Sequence, residues 1–287
     1  MNKLNQETVR RIIGIVVAFL LSIFTIAAAL LAVATVVTSK QYITYTVQNS
    51  DYTESSADIL TQNLNDLAIP SGLSDNFFEG KVSYDELSEI TALCIEQNYM
   101  GAAFSPDTSA LKQKLIEYFK DFAQSDMAAS DTQVTDEALS TLADMCITEY
   151  INAAAPDVLR YIALYSGKIF KFALIAFVAA AVIAVLCLVF LIKLNKGESL
   201  KISYPYFSFC SAGISLTVLP LILLLGKHVN RLSISTKSVY DFVCMFLNNA
   251  LWICVILGVI LLILAVTLLL KKKSKINTDT PDNTIDL

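Results

Sequence analysis

The sequence predicts an all-α membrane protein: a four-helix transmembrane bundle with a helical extracytoplasmic domain inserted between spans one and two. Three observations predict it. Of the 287 residues, 55% are hydrophobic and 16% charged, against about 45–50% and about 25% in soluble domains. Four windows, residues 12–38, 172–192, 202–226 and 242–270, contain no Asp, Glu, Lys, Arg or His and run 27, 21, 25 and 29 residues, where a membrane-crossing helix needs about 20. The polar sequence left over gathers in one stretch, 39–168, whose 20 acidic and 7 basic residues net −13 while the rest of the chain nets +8.

Residues 1–11 form a basic cytoplasmic N-terminus, with Lys3, Arg10 and Arg11, ahead of span 1 at 12–38. The basic start and Ala32-Val33-Ala34 also fit a cleaved secretory signal. The 27-residue apolar run is far longer than the roughly 7–15-residue core of a signal, so the expectation is a retained anchor. Span 2 is placed at 169–192, a cytoplasmic loop at 193–201 with Lys193, Lys196 and Lys201, span 3 at 202–226, and span 4 at 248–270. Between spans 3 and 4, residues 227–247 read as an extracytoplasmic loop whose aromatic segment 239–247 lies at the membrane interface. Residues 271–287 open with Lys271, Lys272, Lys273 and Lys275 and read as a disordered cytoplasmic tail. The bases cluster in the three short segments that would share one side, and cytoplasmic loops keep an excess of Lys and Arg. Both termini are therefore expected inside, with 39–168 outside.

Within 39–168 the apolar residues recur at helical spacing. Asp51-Tyr52-Thr53-Glu54 reads as a helix start feeding Leu60, Leu64 and Leu67 until Pro70. Ser83-Tyr84-Asp85-Glu86 is a second start, feeding Leu87, Ile90 and Cys94 up to Gly101. Ser105-Pro106-Asp107 opens a third helix with Leu111, Leu115, Tyr118, Phe119 and Phe122 on one face. After the polar stretch 125–135, a fourth carries Leu139, Leu142, Cys146 and Tyr150 to Pro156. Beyond Pro156 the pattern of Val158, Leu159, Ile162 and Tyr165 runs into span 2 with no breaker but Gly167, predicting one continuous helix.

With Asp51-Tyr52, Leu64, Ile69-Pro70-Ser71-Gly72-Leu73, Phe77-Phe78 and Val82-Ser83-Tyr84-Asp85 following a first span, the chain resembles a loose group of bacterial membrane proteins of Gram-positive type. These have one span, a helical external domain and three further spans. The resemblance covers the layout of the whole chain. It implies that fold and no particular activity. The lack of an Asn-X-Ser/Thr sequon in 39–168 agrees with a bacterial plasma membrane.

Candidate sites are few. The uncharged spans lack the intramembrane acids and bases that mark proton and ion pathways. Ala28 and Ala32 in span 1, and Ala176, Ala180 and Ala184 in span 2, form small-residue rows suited to close helix packing, within the bundle or between two copies. Pro220 lies inside span 3, and Ser211, Ser215 and Thr217 are the hydroxyls that could line a path there. Cys94 and Cys146 are the one external pair able to form a disulfide, and both also sit on apolar stripes as buried thiols would. The other cysteines, 187, 210, 244 and 254, read as packing residues. His228 is the lone histidine, and the acids Asp85, Glu86 and Glu89, like Asp131, Asp136 and Glu137, lack the spacing of a calcium loop. No cofactor, metal site or catalytic set is expected, and an acidic domain disfavours nucleic acid. The expected role is a non-catalytic integral membrane protein whose external domain recognises or assembles with a partner or ligand; the alternative is a small transporter or channel subunit, and behind it a membrane enzyme. Expected partners are the lipid bilayer and either another protein or a second copy.

Overall fold

The computed structural model describes residues 3–125, 135–194, 200–234 and 236–278. Its regular elements are helices: α1 (Lys3–Val37), α2 (Lys40–Asn49), α3 (Tyr52–Ala68), α4 (Tyr84–Met100), α5 (Ser109–Ser125), α6 (Asp136–Ala154), α7 (Asp157–Leu194), α8 (Leu200–Leu225) and α9 (Lys237–Thr278), with short 3₁₀ turns at Ile69–Ser71 and Val229–Arg231. Four of these, α1, α7, α8 and α9, contain stretches long and apolar enough to cross a membrane. The chain divides into two compact units. One comprises residues 1–37, 169–232 and 247–287; the other comprises 38–168 together with 233–246.

The apolar unit wears its hydrophobic residues on the outside. Phe172 is 79% exposed and Leu225 80%, an arrangement that suits lipid and not water. Inside, α1 and α8 meet along a seam of small and hydroxyl residues. Ser208 donates to the Ala18 carbonyl at 2.7 Å, and Ser22 donates to Ser211 at 3.3 Å. Near its start, the Gly14 position faces the Tyr204 ring, which a Cβ there would meet at 3.0 Å. The closest backbone approach is between α8 and α9: a Cβ on Gly213 would lie 2.9 Å from the Gly258 carbonyl, and one on Gly258 would lie 2.9 Å from the Gly213 carbonyl. Arg10 donates to the Leu194 carbonyl at the end of α7, a cation on a helix C-terminus.

The polar unit has two apolar cores. The larger is built on Leu60 and Leu64 of α3, Leu87 of α4, Leu115 and Phe119 of α5, and Cys146 and Tyr150 of α6. Phe77 and Phe78 enter it from the turn region after Gly72, whose φ of 78° permits the reversal that ends α3. The Asn65 side chain holds that region by accepting from Phe78 N at 2.9 Å, and Phe78 meets Phe119 edge to face at 6.1 Å. The second core joins five helices: Ile43 and Val47 of α2, Tyr52 of α3, Ile95 of α4, Leu159 and Ala163 of α7, and Phe242 of α9.

Helix starts follow local chemistry. Ser83 and Thr135 cap α4 and α6, their hydroxyls accepting from Glu86 N and Ala138 N. At α3 the expected capping box is not made, since Asp51 forms no side-chain cap. The third predicted helix begins two residues after Asp107, whose carboxylate accepts from the Ser109 backbone and hydroxyl at 3.0 and 2.7 Å. Residues 40–49 add a further helix to the polar stretch, with Ser39 as N-cap. Two features depart from the sequence reading. Segment 239–247 lies inside α9, and Val239 and Phe242 are buried in the polar unit. The helical state also extends to Thr278, into the expected disordered tail; residues 279–287, the loop residues 195–199 and the stretch 126–134 with Asp131 lie outside the described residues.

Candidate functional site

The polar unit's densest polar chemistry lies where α6 breaks into α7. Pro156 has no N–H to extend the ladder, so α6 stops at Ala154 and α7 starts at Asp157. The Ala153 and Ala154 carbonyls lose their helical donors and take side chains in their place. Tyr52 Oη donates toward them at 3.4 and 3.3 Å, and Thr91 Oγ1 lies 3.0 Å from Ala154 O. Burial pushes the Tyr52 hydroxyl pKa well above its ordinary value, which keeps it a donor.

Beside this junction a small cleft of about 130 Å³ opens between α3, the end of α6 and the start of α9. Ser56, Ile59 and Asn63 project into it from one face of α3 at spacings of three and four; Glu149, Asn152 and Pro156 close the α6 side, and Thr236, Ser238 and Val239 the third. Asn63 Nδ2 donates to Glu149 Oε2 at 3.1 Å. One turn before Asn63's neighbours, Ser55 donates to Asp241 Oδ2 at 3.1 Å, tying α3 to the first turns of α9. Ser56 is 2% exposed, and its hydroxyl faces that of Tyr52.

A second, open groove of about 590 Å³ is lined by Phe77, Tyr118 and Lys81, whose ammonium sits 3.2 Å from the Phe77 ring centroid. Desolvation there lowers the Lys81 pKa. The third hollow, lined by Leu73, Phe119, Phe122, Leu139 and Leu142, is apolar and borders the first core.

Cys94 and Cys146 are free thiols, both fully buried. The bond allowed by the sequence is not formed, and each behaves as a small apolar residue. Cys94 accepts from Asn98 Nδ2 at 3.4 Å. Burial pushes its pKa to about 11, against the weaker pull of Arg160, and burial pushes Cys146 to about 12. Both folded values lie above the ordinary 9.0, so the stabilisation from keeping these thiols neutral is complete below about pH 9 and is lost as pH rises through 11 and 12. At pH 8, maleimide should leave both residues unmodified in the folded protein, as read by mass spectrometry. The denaturant midpoint should fall between pH 8 and pH 10.5, and fall less in a Cys94→Ala, Cys146→Ala protein.

Of the small-residue rows, Ala180 is buried and Ala28, Ala32, Ala176 and Ala184 are half-buried. Within the apolar unit, close backbone contacts fall instead at Gly213 and Gly258. Gly258 is the sole glycine of its apolar window, and Gly213 shares its own only with Gly226 at the window's end, a signal that was present in the sequence. The hydroxyls proposed as a path in span 3 are engaged: Ser211 with Ser22, Ser215 with the Ser211 carbonyl, and Thr217 with the Gly213 carbonyl. Pro220 is accommodated within α8. His228 is exposed beside Lys227. Glu86 pairs with Lys114 at 2.6 Å and Asp136 with Lys120 at 3.1 Å, and among the described residues no three His, Cys, Asp or Glu side chains converge to hold a metal. Compared with protein-family models, curated proteins and solved structures, the chain matches none.

Proposed function

We propose that this chain is a non-catalytic integral membrane protein of the bacterial plasma membrane, with both termini in the cytoplasm and the polar unit outside as a recognition or assembly module for a partner or ligand. The reading includes membership of the bacterial four-span group whose layout the sequence resembles. The observation that carries it is the polar unit itself: a compact body with two cores of its own, bracketed in sequence by helices able to span a membrane. The charge distribution supports the orientation, because the acidic excess belongs to 39–168 and the clustered bases to the short segments. The span hydroxyls, bonded within the bundle, support an assembly role over a transport path.

Reporter fusions at residues 100, 197 and 280 should read outside, inside and inside; an outside signal at 197 overturns the orientation. Crosslinking in intact cells should recover partners that disappear when residues 42–165 are deleted. Recovery of the same partners by the deleted protein would move recognition to the spans, and solute or ion flux by purified protein in liposomes would replace this reading with the transporter one.

A further inference from the structure

We propose that the open groove between the turns at 74–81 and α5 binds an uncharged glycan, its sugar rings lying against Tyr118 and Phe122 and its hydroxyls bonded to Lys81, Asn76, Glu79 and Asp121. The proposal rests on the recognition reading above and gives it a ligand class.

Both walls of the groove are fixed by the protein itself. Turn bonds from Phe77 N to Ser74 O, Glu79 N to Asn76 O and Lys81 N to Phe78 O, at 3.0, 3.2 and 3.1 Å, hold one wall, and Phe77 and Phe78 anchor it in the first core. The other wall is α5, where Tyr118, Asp121 and Phe122 share a face at spacings of three and four. The space of about 590 Å³ between them falls within the roughly 300–1,000 Å³ of ligand pockets.

The polar groups of this groove are unspent. The Lys81 ammonium rests over Phe77 and lies 5.6 Å from the Tyr118 ring centroid. Glu79 and Asp121 line the same groove, yet neither pairs with it. Among the described residues, the side chains of Asn76, Glu79 and Asp121 likewise make no hydrogen bond or ion pair. Exposed groups of this kind are ordinarily served by water, and Asn76, Glu79 and Asp121 are exposed. Lys81 is not in that position: it is half-buried, and desolvation lowers its pKa with no carboxylate to offset the loss.

Charge decides among ligands. A bare anion would meet Glu79 and Asp121, and a bare cation would meet Lys81. An ammonium is donor-only and a carboxylate acceptor-only, whereas a hydroxyl both donates and accepts. A polyhydroxyl ligand therefore satisfies the lysine and the two acids at once and carries no charge for either to repel. Its other requirement is an apolar surface. The half-buried rings of Tyr118 and Phe122 supply one, because the negative face of an aromatic ring attracts the weakly positive C–H bonds of a pyranose.

The test is calorimetric titration of the full-length protein in nanodiscs with cellotetraose, chitotetraose and maltotetraose, and with acetate and tetramethylammonium as single-charge probes. At least one tetrasaccharide should bind saturably at one site per chain. Lys81→Met, which keeps an apolar stem and removes the charged donor, should weaken that binding by about tenfold or more. Asp121→Ala, at an exposed position on α5, should weaken it several-fold. The bound sugar should also slow acylation of Lys81 by an amine-reactive ester, while the exposed Lys237 outside the groove reacts as before. Protection of Cys94 and Cys146 from maleimide confirms that each variant is folded. Absence of saturable binding by all three sugars overturns the proposal, as does wild-type affinity in Lys81→Met or in Asp121→Ala, or binding of acetate or tetramethylammonium as tight as the sugar's. Partner crosslinks that still depend on residues 42–165 would then leave the recognition reading standing without this ligand; crosslinks indifferent to the deletion would overturn the reading itself.

Discussion

Gly167→Ala is expected to lower the stability of the polar unit by about 2–3 kcal/mol, toward the top of the range for overpacking a filled site. Two effects oppose each other at this position. Gly167 lies within α7, and replacing a helical glycine by alanine would by itself gain about 0.8–1.0 kcal/mol. A Cβ there would lie 2.1 Å from the Tyr99 carbonyl oxygen and 3.1 Å from the carbonyl carbon. The obstructing atoms are backbone in the last turn of α4, so no side-chain rotation relieves the clash and α4 must shift against α7. The shift would disturb Ile95, Leu159 and Ala163, which share the second core. Steric cost therefore wins over propensity. Denaturant unfolding of the full-length protein, followed by exposure of Cys94 to maleimide, measures it. A stability equal to or above wild type would show that α4 and α7 are not in contact at Gly167. The exposed Gly80, with nothing within 4 Å of its Cβ position, is a poor control because its φ of 71° strains any side chain. Ser140→Ala on α6 makes a better one.

The apolar helices and the first core were legible because their signals are local. Uninterrupted apolar windows mark the span helices, and spacings of three and four put Leu60, Leu64, Leu87, Leu115, Phe119 and Tyr150 on the faces that the structure buries. The continuity of α7 was legible for the same reason: no proline lies within Asp157–Leu194, and the apolar pattern never loses phase. The second core was not. Its members come from residue 43 to residue 242, and no periodicity relates them. Residues 40–49 carry few strongly apolar side chains, so the α2 helix depends on the burial of Ile43 and Val47 against distant partners. Phe242 and Phe246 read as an interfacial aromatic belt because Phe is at home in lipid and in a protein core alike, and only the partner decides between them. The cleft was hidden for a further reason. Ser56, Glu149 and Ser238 are each ordinary in sequence, and only the fold brings them round one cleft.

Phe242→Ala should cost about 3–5 kcal/mol, the range for truncating a buried aromatic side chain, and should act on the polar unit even though the residue belongs to a helix classed by composition as a membrane span. Phe242 is 2% exposed. Its ring meets Tyr52 edge to face at 6.3 Å and packs at 5.8 Å from Phe246, while Phe246 meets Tyr42 at 5.2 Å and gives its carbonyl to the Tyr42 hydroxyl at 2.8 Å. Removing the ring opens a cavity where five helices converge, and Tyr52, which supplies a donor to the Ala153 and Ala154 carbonyls, loses the surface that positions it. The same truncation at Phe172, 79% exposed on the outer face of α7, removes no protein packing and should change stability by less than about 0.5 kcal/mol. The pair separates the two environments available to an apolar residue in this chain. With both variants purified as full-length protein in nanodiscs, faster alkylation of Cys94 and Cys146 in Phe242→Ala but not in Phe172→Ala is the expected result. Equal behaviour of the two would place Phe242 in lipid and remove residues 233–246 from the polar unit.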